Sequence, residues 1–396
     1  MGKNRLKAVN ATWAYSLLQV VCWGFFAISL CFSSNVLYDY GFSDSKISIF
    51  LGICTALSFL LQLVTAEVIA ANPRCKVWVV LAGLGAAMMA GNLLMLVKTL
   101  PGSLAVVCFG IGCMGLLMLP SLVNAIGMDA IRRGSPTNYS IARGLGSLGY
   151  SILAFLTGFL VRQRGSSMVP VLGAVCAAAL VLGAVWFHFA GEQNLEQIPR
   201  ARNQGQKQQG FLKQYPRFTL FLLASVLIQY SHNLPSNFMY QIMLSKNGGA
   251  AEQGIASAIC AFVELPVMFF FPLLMRRIRC DKWVRFSALF TAVKAVGILL
   301  AMTPSGVYLA QATQSLGYGL FVISSVNYAE MVVGRGESVR AQTYLGATCT
   351  VGALLATGTG GFLCQHLGVP AMVLTSFLLA FGGGLLILFT AEKTKQ

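Results

Sequence analysis

The chain has few charged residues and very few acidic ones. Only 10% of its 396 residues are Asp, Glu, Lys or Arg, and just 12 are acidic. A soluble globular protein carries about 25% charged residues, so this sequence cannot cover a water-facing surface of normal polarity. Hydrophobic residues make up 56% of the chain, which excludes intrinsic disorder. The composition predicts an integral membrane protein.

The sequence also lacks the motifs of catalytic and metal sites. It has no HExxH, no GxSxG, no Walker loop and no CxxC pair. Its 11 cysteines lie mostly within apolar runs, where they are interpreted as small buried hydrophobic residues. Residues 144–149, GLGSLG, satisfy the dinucleotide pattern GxGxxG, but no soluble βαβ unit surrounds them. We therefore expect no enzyme, no cofactor and no metal, and interpret these glycines as a face on which helices pack closely.

Long apolar runs recur along the whole chain. A run of about 20 apolar residues crosses the roughly 30 Å hydrocarbon core of a bilayer as a helix. The sequence predicts an all-α membrane fold of twelve such helices in two pseudo-symmetric bundles of six. We place them near 12–34, 47–70, 77–97, 102–127, 141–161, 168–190, 217–240, 253–275, 283–302, 305–330, 340–363 and 369–390.

The basic residues predict the orientation of these helices. A net charge of +16 would suggest nucleic acid as the partner of a soluble chain, but here the basic residues lie in short loops between apolar runs. With both termini in the cytoplasm, 21 Lys and Arg residues face inward and five face outward, namely Lys46, Lys98, Arg162, Arg164 and Lys246. We expect a multi-pass protein of the cell membrane that binds no nucleic acid.

A hydrophilic stretch rich in Gln and Arg separates the two predicted bundles. It gives an N-terminal bundle over residues 1–190, a cytoplasmic linker over 191–216 and a C-terminal bundle over 217–396. A short repeat supports the division, because Arg-Cys-Lys-Val-Trp after the second run resembles Arg-Cys-Asp-Lys-Trp after the eighth. Duplication of a six-helix unit is the organisation of one large class of secondary transporters.

Two charges are predicted deep within the second bundle. Glu264 lies twelve residues before Arg276, and Lys294 nine residues after Arg285. At about 1.5 Å per residue these intervals place both at about 14–18 Å from the cytoplasmic ends of consecutive helices. We expect the two side chains to pair, either as part of a transport pathway or as a structural ion pair.

Polar side chains recur at helical spacing in three of the predicted helices. Gln229, His232, Asn233 and Ser236 form one stripe, Gln311, Gln314 and Tyr318 a second, and Ser16, Gln19 and Trp23 a third. Amides pair with hydroxyls and aromatic rings stack on sugars, so the stripes favour a cavity for a polyhydroxylated solute. Hydrogen bonds between helices are the simpler interpretation of each stripe. His232 is either a proton carrier or an ordinary hydrogen-bonding histidine.

The chain resembles the major facilitator superfamily, and within it the sugar:proton symporters around lactose permease. The similarity rests on WGFF at 23–26, SDSKI at 43–47 and LLQ at 60–62, on the stretch from Arg132 to Tyr150, and on MFF at 268–270 with Pro272. It runs over most of the chain and is weak between these patches. The resemblance implies twelve helices, alternating access and a protein that works as a monomer.

The resemblance also implies roles for particular residues. Asp129 and Arg143 stand where the family keeps a carboxylate and an arginine that bind sugar hydroxyls, and Tyr150 where a tryptophan stacks on the sugar. Lys294 matches an arginine of the proton-coupling network, and Glu264 lies about one turn from its glutamate. The chain departs from the pattern at Gln314, in place of a coupling histidine, and at Gly317, in place of a proton-carrying glutamate. If protons are coupled, Glu264 is the expected carrier.

These observations predict a transporter of a small neutral polar solute. A sugar or oligosaccharide carried together with a proton is the first expectation, because Asp129 offsets Arg143 and Glu264 offsets Lys294. The alternatives are a nucleoside or a phenylpropionate-like aromatic acid as the solute, or uniport of a sugar without protons. The expected substrate-binding residues are Trp23, Asp129, Arg143, Tyr150, Gln229, His232, Asn233, Gln314 and Tyr318, and the expected proton-coupling residues are Glu264 and Lys294.

Overall fold

The computed structural model describes residues 2–72, 75–97, 99–132, 135, 137–191, 210–333 and 337–394. Within these ranges the regular structure is helical, with no strand. Apolar segments of this length form helices because a spanning segment must pair its own backbone N–H and C=O groups where no water is present. The all-α membrane fold predicted from the sequence is confirmed.

Seven helices make up the first half of the described chain. The first predicted span is divided by a short π-helix at Phe26–Leu30 into two helices, and the others are continuous. They are α1 Gly2–Phe25, α2 Ser33–Asp39, α3 Asp44–Ala71, α4 Val77–Leu94, α5 Gly102–Arg132, α6 Tyr139–Arg164 and α7 Met168–Gly191.

The second half is more interrupted, because three of its predicted spans are broken into two helices each. The breaks lie at Phe238, at Val263 and at the 3-10 turn Thr313–Ser315. The helices are α8 Phe211–Gln214, α9 Pro216–Asn237, α10 Met239–Ser245, α11 Ala250–Phe262, α12 Glu264–Met275, α13 Cys280–Leu300, α14 Pro304–Ala312, α15 Tyr318–Val332, α16 Ser338–Leu367 and α17 Val369–Thr390.

Ten helical segments of the described chain are long and apolar enough to cross a membrane. The predicted spans 217–240 and 305–330 are the two not among them. The first is α9, whose polar stripe lowers its mean hydropathy, and the second is divided by the 3-10 turn into α14 and α15. The same polar and broken segments carry the candidate site described below.

The chain divides into two compact units. The first comprises Met1–Gly41 and Ile53–Gln204, and the second comprises Phe42–Gly52 and Gly205–Gln396. The predicted linker falls largely on residues 192–209, which lie outside the described residues, as does Lys98. The boundaries of the linker and the cytoplasmic location of the termini therefore stay predictions.

Residues Phe42–Gly52 group with the second unit, whereas the predicted division assigns residues 1–190 to one bundle. Hydrogen bonds hold the segment there. Gln241 Nε2 donates to Asp44 Oδ1 over 3.0 Å, and the backbone N–H of Ser45 donates to Gln365 Oε1 over 2.9 Å. Because these bonds join residues far apart in sequence, the grouping of this segment with the second unit could not be predicted from its composition.

Candidate functional site

The first unit holds a group of buried and half-buried polar side chains around Arg143. Arg143 lies near the start of α6, where its Nη1 donates to Ser147 Oγ over 2.9 Å. Its guanidinium carbon lies 4.2 Å from the centre of the Trp23 ring on α1. A guanidinium over an indole is attracted by the ring quadrupole, worth about 0.5–2 kcal/mol depending on desolvation. The two side chains therefore hold each other in place.

Gln19 connects this pair to the interior of the unit. Its Oε1 accepts from Trp23 Nε1 over 3.2 Å, and its Nε2 lies 2.8 Å from Tyr15 Oη and 3.1 Å from Asn124 Oδ1. Gln19 and Tyr15 are buried, and every polar atom of the Gln19 amide has a partner. Such a satisfied network fixes the position of the Trp23 ring. We call Arg143, Ser147, Trp23, Gln19 and Asn124 the arginine network.

Small residues let α6 approach α1 closely at this place. A Cβ at Gly146 would lie 2.8 Å from Trp23 Cδ1, and one at Gly149 would lie 2.8 Å from a methyl group of Val20. Both glycines belong to the sequence that imitates a nucleotide-binding motif. Their predicted role as a close-packing face is confirmed.

Asp129 and Tyr150 lie apart from these contacts. Both are half-buried, Asp129 on α5 and Tyr150 on α6. Within the described part of the chain, no ion pair joins Asp129 to Arg143, and Tyr150 neither stacks on Trp23 nor bonds Arg143. The expected charge compensation of Arg143 is thus not a direct contact.

The second unit holds a cation and a carboxylate joined by an amide. Gln314 Oε1 accepts from Lys294 Nζ over 2.9 Å, and Gln314 Nε2 donates to Glu264 Oε1 over 2.8 Å. The same Nε2 lies 3.4 Å from His232 Nδ1. Among the described residues, Lys294 makes no direct ion pair, so the expected pairing of Lys294 with Glu264 is made through Gln314. Lys294 is 5% exposed and Gln314 1%.

Broken helices place these side chains. Glu264 is the first residue of α12, whose amino-terminal end favours a carboxylate. Pro266 lacks the N–H that would bond the carbonyl of Phe262, which accounts for the break at Val263. Gln314 lies in the 3-10 turn between α14 and α15. Discontinuous helices whose ends meet polar groups are typical of binding sites in secondary transporters.

Two glycines keep the space around this group narrow. A Cβ at Gly317 would lie 3.1 Å from Thr291 Cα, and one at Gly319 would lie 3.0 Å from Glu264 Cγ. Gly317 is the position at which the resembled family keeps a proton-carrying glutamate. The backbone of α13 is too close for such a side chain here, so Glu264 is the carboxylate of this site.

Stacked rings continue the network along α9 and α15. The rings of His232 and Tyr318 are parallel within 4° with centres 3.5 Å apart. Tyr318 Oη donates to Gln229 Oε1 over 2.7 Å, and Gln229 Nε2 lies 3.1 Å from Cys349 Sγ. Together with Lys294, Gln314 and Glu264, these residues form what we call the lysine network.

The remaining stripe residues bond elsewhere. Asn233 Nδ2 donates to the carbonyl of Gln229, and Ser236 Oγ to the carbonyl of His232, both one turn back on α9. Gln311 is buried, and its Nε2 lies 3.9 Å from the sulfur of Met239. Helical spacing predicts which side chains share a face of a helix. Here Asn233 and Ser236 bond the backbone of their own helix, and Gln311 packs away from the network.

Sequence reasoning missed three members of the two networks, and also Tyr15, which is bonded to Gln19. Asn124 and Ser147 had detectable signals, because Asn124 is an amide within an apolar run and Ser147 follows Arg143 by one helical turn. Tyr15 adjoins the third stripe one turn before Gln19. Cys349 had no signal, since a cysteine in an apolar run is typical of a buried hydrophobic residue.

Comparison with known proteins places the chain in a family. The model of the MFS_1 like family matches residues 12–373. No curated protein sequence matches the chain. Among solved structures, a mutant of nucleoside transporter NupG is similar at 16% identity and a TM-score of 0.74, covering 97% of this chain and 98% of that one.

Two further solved structures share the fold at lower identity. A mutant of peptide transporter POT is 11% identical with a TM-score of 0.70, over 96% of this chain and 93% of that one. A bacterial homologue of iron transporter ferroportin is 12% identical with a TM-score of 0.72, over 98% and 99%. At these identities the likeness shows the fold alone, whereas the family model covers nearly the whole chain. The chain belongs to the MFS_1-like family and is a multi-pass membrane transporter of the major facilitator superfamily.

Proposed function

We propose that this transporter carries a small, neutral, hydroxylated ring compound, a sugar in the first instance, together with a proton by alternating access. The proposal rests mainly on the arginine network. It combines a fixed indole ring, a guanidinium with donors beyond its single bond to Ser147, and amide groups. Rings stack on sugar faces, and guanidinium and amide groups pair with hydroxyls.

Substrate binding is assigned to half-buried residues whose side chains suit a hydroxylated ring. In the first unit these are Arg143, Trp23, Asp129 and Tyr150. In the second unit they are His232, Asn233 and Tyr318, with Gln229 holding the tyrosine hydroxyl. Gln314 is reassigned from substrate binding to coupling, because its amide is 1% exposed and already serves Lys294 and Glu264.

Proton coupling is assigned to Glu264. A carboxylate inside a membrane span is costly and usually functional, and this one is half-buried beside a lysine held by the same amide. On binding a proton from the more acidic aqueous side, one carboxylate oxygen gains an O–H bond and the site loses one negative charge. The proton leaves to water on the opposite side. Lys294 keeps the site near neutrality before protonation, which favours a neutral solute.

Two other solutes are supported by particular observations. A nucleoside is supported by the likeness to the nucleoside transporter and by the stacking surface of Trp23, since a base and a ribose need a ring and hydroxyl partners alike. An aromatic carboxylate is supported by Arg143, which makes no ion pair within the described residues. The sugar remains the first proposal because Arg143 is the one cation of the arginine network and its other members are neutral.

Uptake into proteoliposomes tests the proposal. Purified protein is reconstituted and given labelled sugars, nucleosides and phenylpropionate in separate assays, with and without an inward proton gradient. We expect one sugar to accumulate above equilibrium only with the gradient. Accumulation of a nucleoside or of the carboxylate instead would replace the solute, and equilibration of a sugar without accumulation would identify a uniporter. Absence of flux for all three classes would overturn the proposal.

A further inference from the structure

The Gln314 amide uses all its hydrogen-bonding atoms on three titratable neighbours. Its carbonyl oxygen accepts from Lys294 Nζ, and its two N–H groups point to Glu264 Oε1 and His232 Nδ1 at 2.8 and 3.4 Å. This arrangement requires a donor at Lys294 and acceptors at Glu264 and His232. It therefore requires that His232 Nδ1 carries no proton, and its bonds to Lys294 and Glu264 are strongest when the lysine is charged and the glutamate is ionised.

We propose that Gln314 is the positioning residue of the coupling site, an amide bridge that transmits the charge state of Glu264 to Lys294 and His232. The inference rests on the proposed proton coupling and goes beyond it. It assigns the coupling to a side chain that never carries a proton. A glutamine stands where the resembled pattern has a titratable histidine, and the bridge gives it a role of its own.

Protonation of Glu264 changes both ends of the bridge. The bond from Gln314 Nε2 then ends on a neutral acid, and hydrogen bonds to charged groups are roughly twice as strong as neutral ones. Lys294 loses the negative charge to which the amide connects it, and its other contact is the sulfur of Cys260 at 3.9 Å. The lysine is 5% exposed, so it is left as a buried cation with a weakened partner. Protonation of Glu264 therefore weakens the hydrogen bonds that hold the Gln314 amide in place and favours a different orientation of this side chain.

The titratable side chains around the bridge lie on five helices. Glu264 and Cys260 lie on α12 and α11, Lys294 on α13, His232 on α9 and Tyr318 on α15. Of these, Glu264, Lys294 and His232 bond the amide itself. The Tyr318 ring stacks on His232, and Cys260 Sγ lies 3.9 Å from Lys294 Nζ.

Three substitutions test the bridge. Gln314→Leu removes both donor and acceptor at similar size, whereas Gln314→His restores a donor and an acceptor on opposite ring nitrogens. Gln311→Leu is the matched control, one turn earlier and equally buried, because Gln311 contacts neither Glu264 nor Lys294. Thermal melting of each variant establishes that it is folded.

The first readout is the ratio of accumulation to solute exchange. We expect Gln314→Leu to reduce gradient-driven accumulation to equilibration while exchange persists. Gln314→His should keep accumulation, and Gln311→Leu should match the wild type. Accumulation by Gln314→Leu equal to that of the wild type would overturn the bridge and leave the proposed symport intact.

The second readout does not depend on transport. Infrared titration of the purified protein follows the carboxyl band of Glu264, identified by its loss in Glu264→Gln. We expect the midpoint to move by about one pH unit in Gln314→Leu, the size expected for one charge-assisted hydrogen bond, and to stay fixed in Gln311→Leu. An unmoved midpoint in Gln314→Leu would refute the bridge. If the wild type shows no accumulation, the symport proposal fails, and this titration still decides the role of Gln314.

Discussion

The two units each hold a cation within an apolar helix, and they stabilise it in different ways. In the first, Arg143 lies on an indole ring and bonds a serine hydroxyl. In the second, Lys294 is linked through an amide to the carboxylate of Glu264. A guanidinium cannot lose its proton in a protein and keeps donors for a ligand, whereas the carboxylate of the lysine network can take up a proton. The contrast supports our proposal that Arg143 binds the solute and that Glu264 carries the proton.

The largest expected effect is that of Arg143→Ala. The guanidinium supplies the hydrogen-bond donors for the solute, and it also packs on the Trp23 ring. Removing it should therefore abolish transport of every solute. Arg143→Lys should retain weak transport, because it keeps the charge and loses the planar fork. Counterflow in proteoliposomes measures both variants.

Arg164→Ala is the control for this substitution, since Arg164 is an exposed residue at the end of the same helix. It should transport like the wild type. Normal uptake by Arg143→Ala, in a sample that melts at the wild-type temperature, would remove Arg143 from the binding site and end the division between the networks.

A smaller effect is expected for Trp23→Leu. The substitution removes the ring that holds Arg143 and stacks on the solute, at a cost of about 1–2 kcal/mol, which corresponds to about tenfold weaker apparent affinity. Trp23→Phe should lose less, since a ring remains. The concentration dependence of counterflow gives the affinity.

Trp13→Leu serves as the control, because Trp13 is an exposed tryptophan on the same helix. It should leave the affinity unchanged. Equal affinities for Trp23→Leu and the wild type would restrict Trp23 to a packing role and weaken the sugar proposal in particular.

The smallest effect is expected for Tyr318→Phe. It deletes the hydroxyl that donates to Gln229 and keeps the stack on His232. A net loss of about 1 kcal/mol predicts an affinity reduced by about fivefold, with accumulation preserved. Tyr230→Phe, on α9 and bonded to Thr359 instead, is the matched control. Loss of accumulation in Tyr318→Phe would move this tyrosine from the binding residues to the coupling residues.

The sequence predicted the apolar helices and the membrane fold because spanning segments are strongly constrained in length and polarity. It also singled out Glu264 and Lys294, since charges are conspicuous within apolar runs, whereas the resemblance to a known family pointed to Arg143. The contacts could not be predicted from helical spacing, which gives the face of a helix and not the partner of a side chain. Asn233 and Ser236 share a stripe with His232 and bond their own backbone instead.

The bridge through Gln314 lay beyond sequence reasoning for a related reason. Glu264 and Lys294 were expected to pair directly because their distances from the helix ends are similar. The helix breaks at Val263 and at Thr313–Ser315 change the path of two segments and bring a glutamine between them. Pro266 signals the first break, while the second lies nine residues after Pro304 and has no proline of its own.

The division between the networks is tested most directly by Glu264→Gln in proteoliposomes, with exchange and gradient-driven accumulation measured on the same preparation. The substitution keeps the size of the side chain and removes its ability to take up a proton. We predict that solute exchange continues through the intact arginine network while accumulation falls to equilibration. Full accumulation by Glu264→Gln would contradict it.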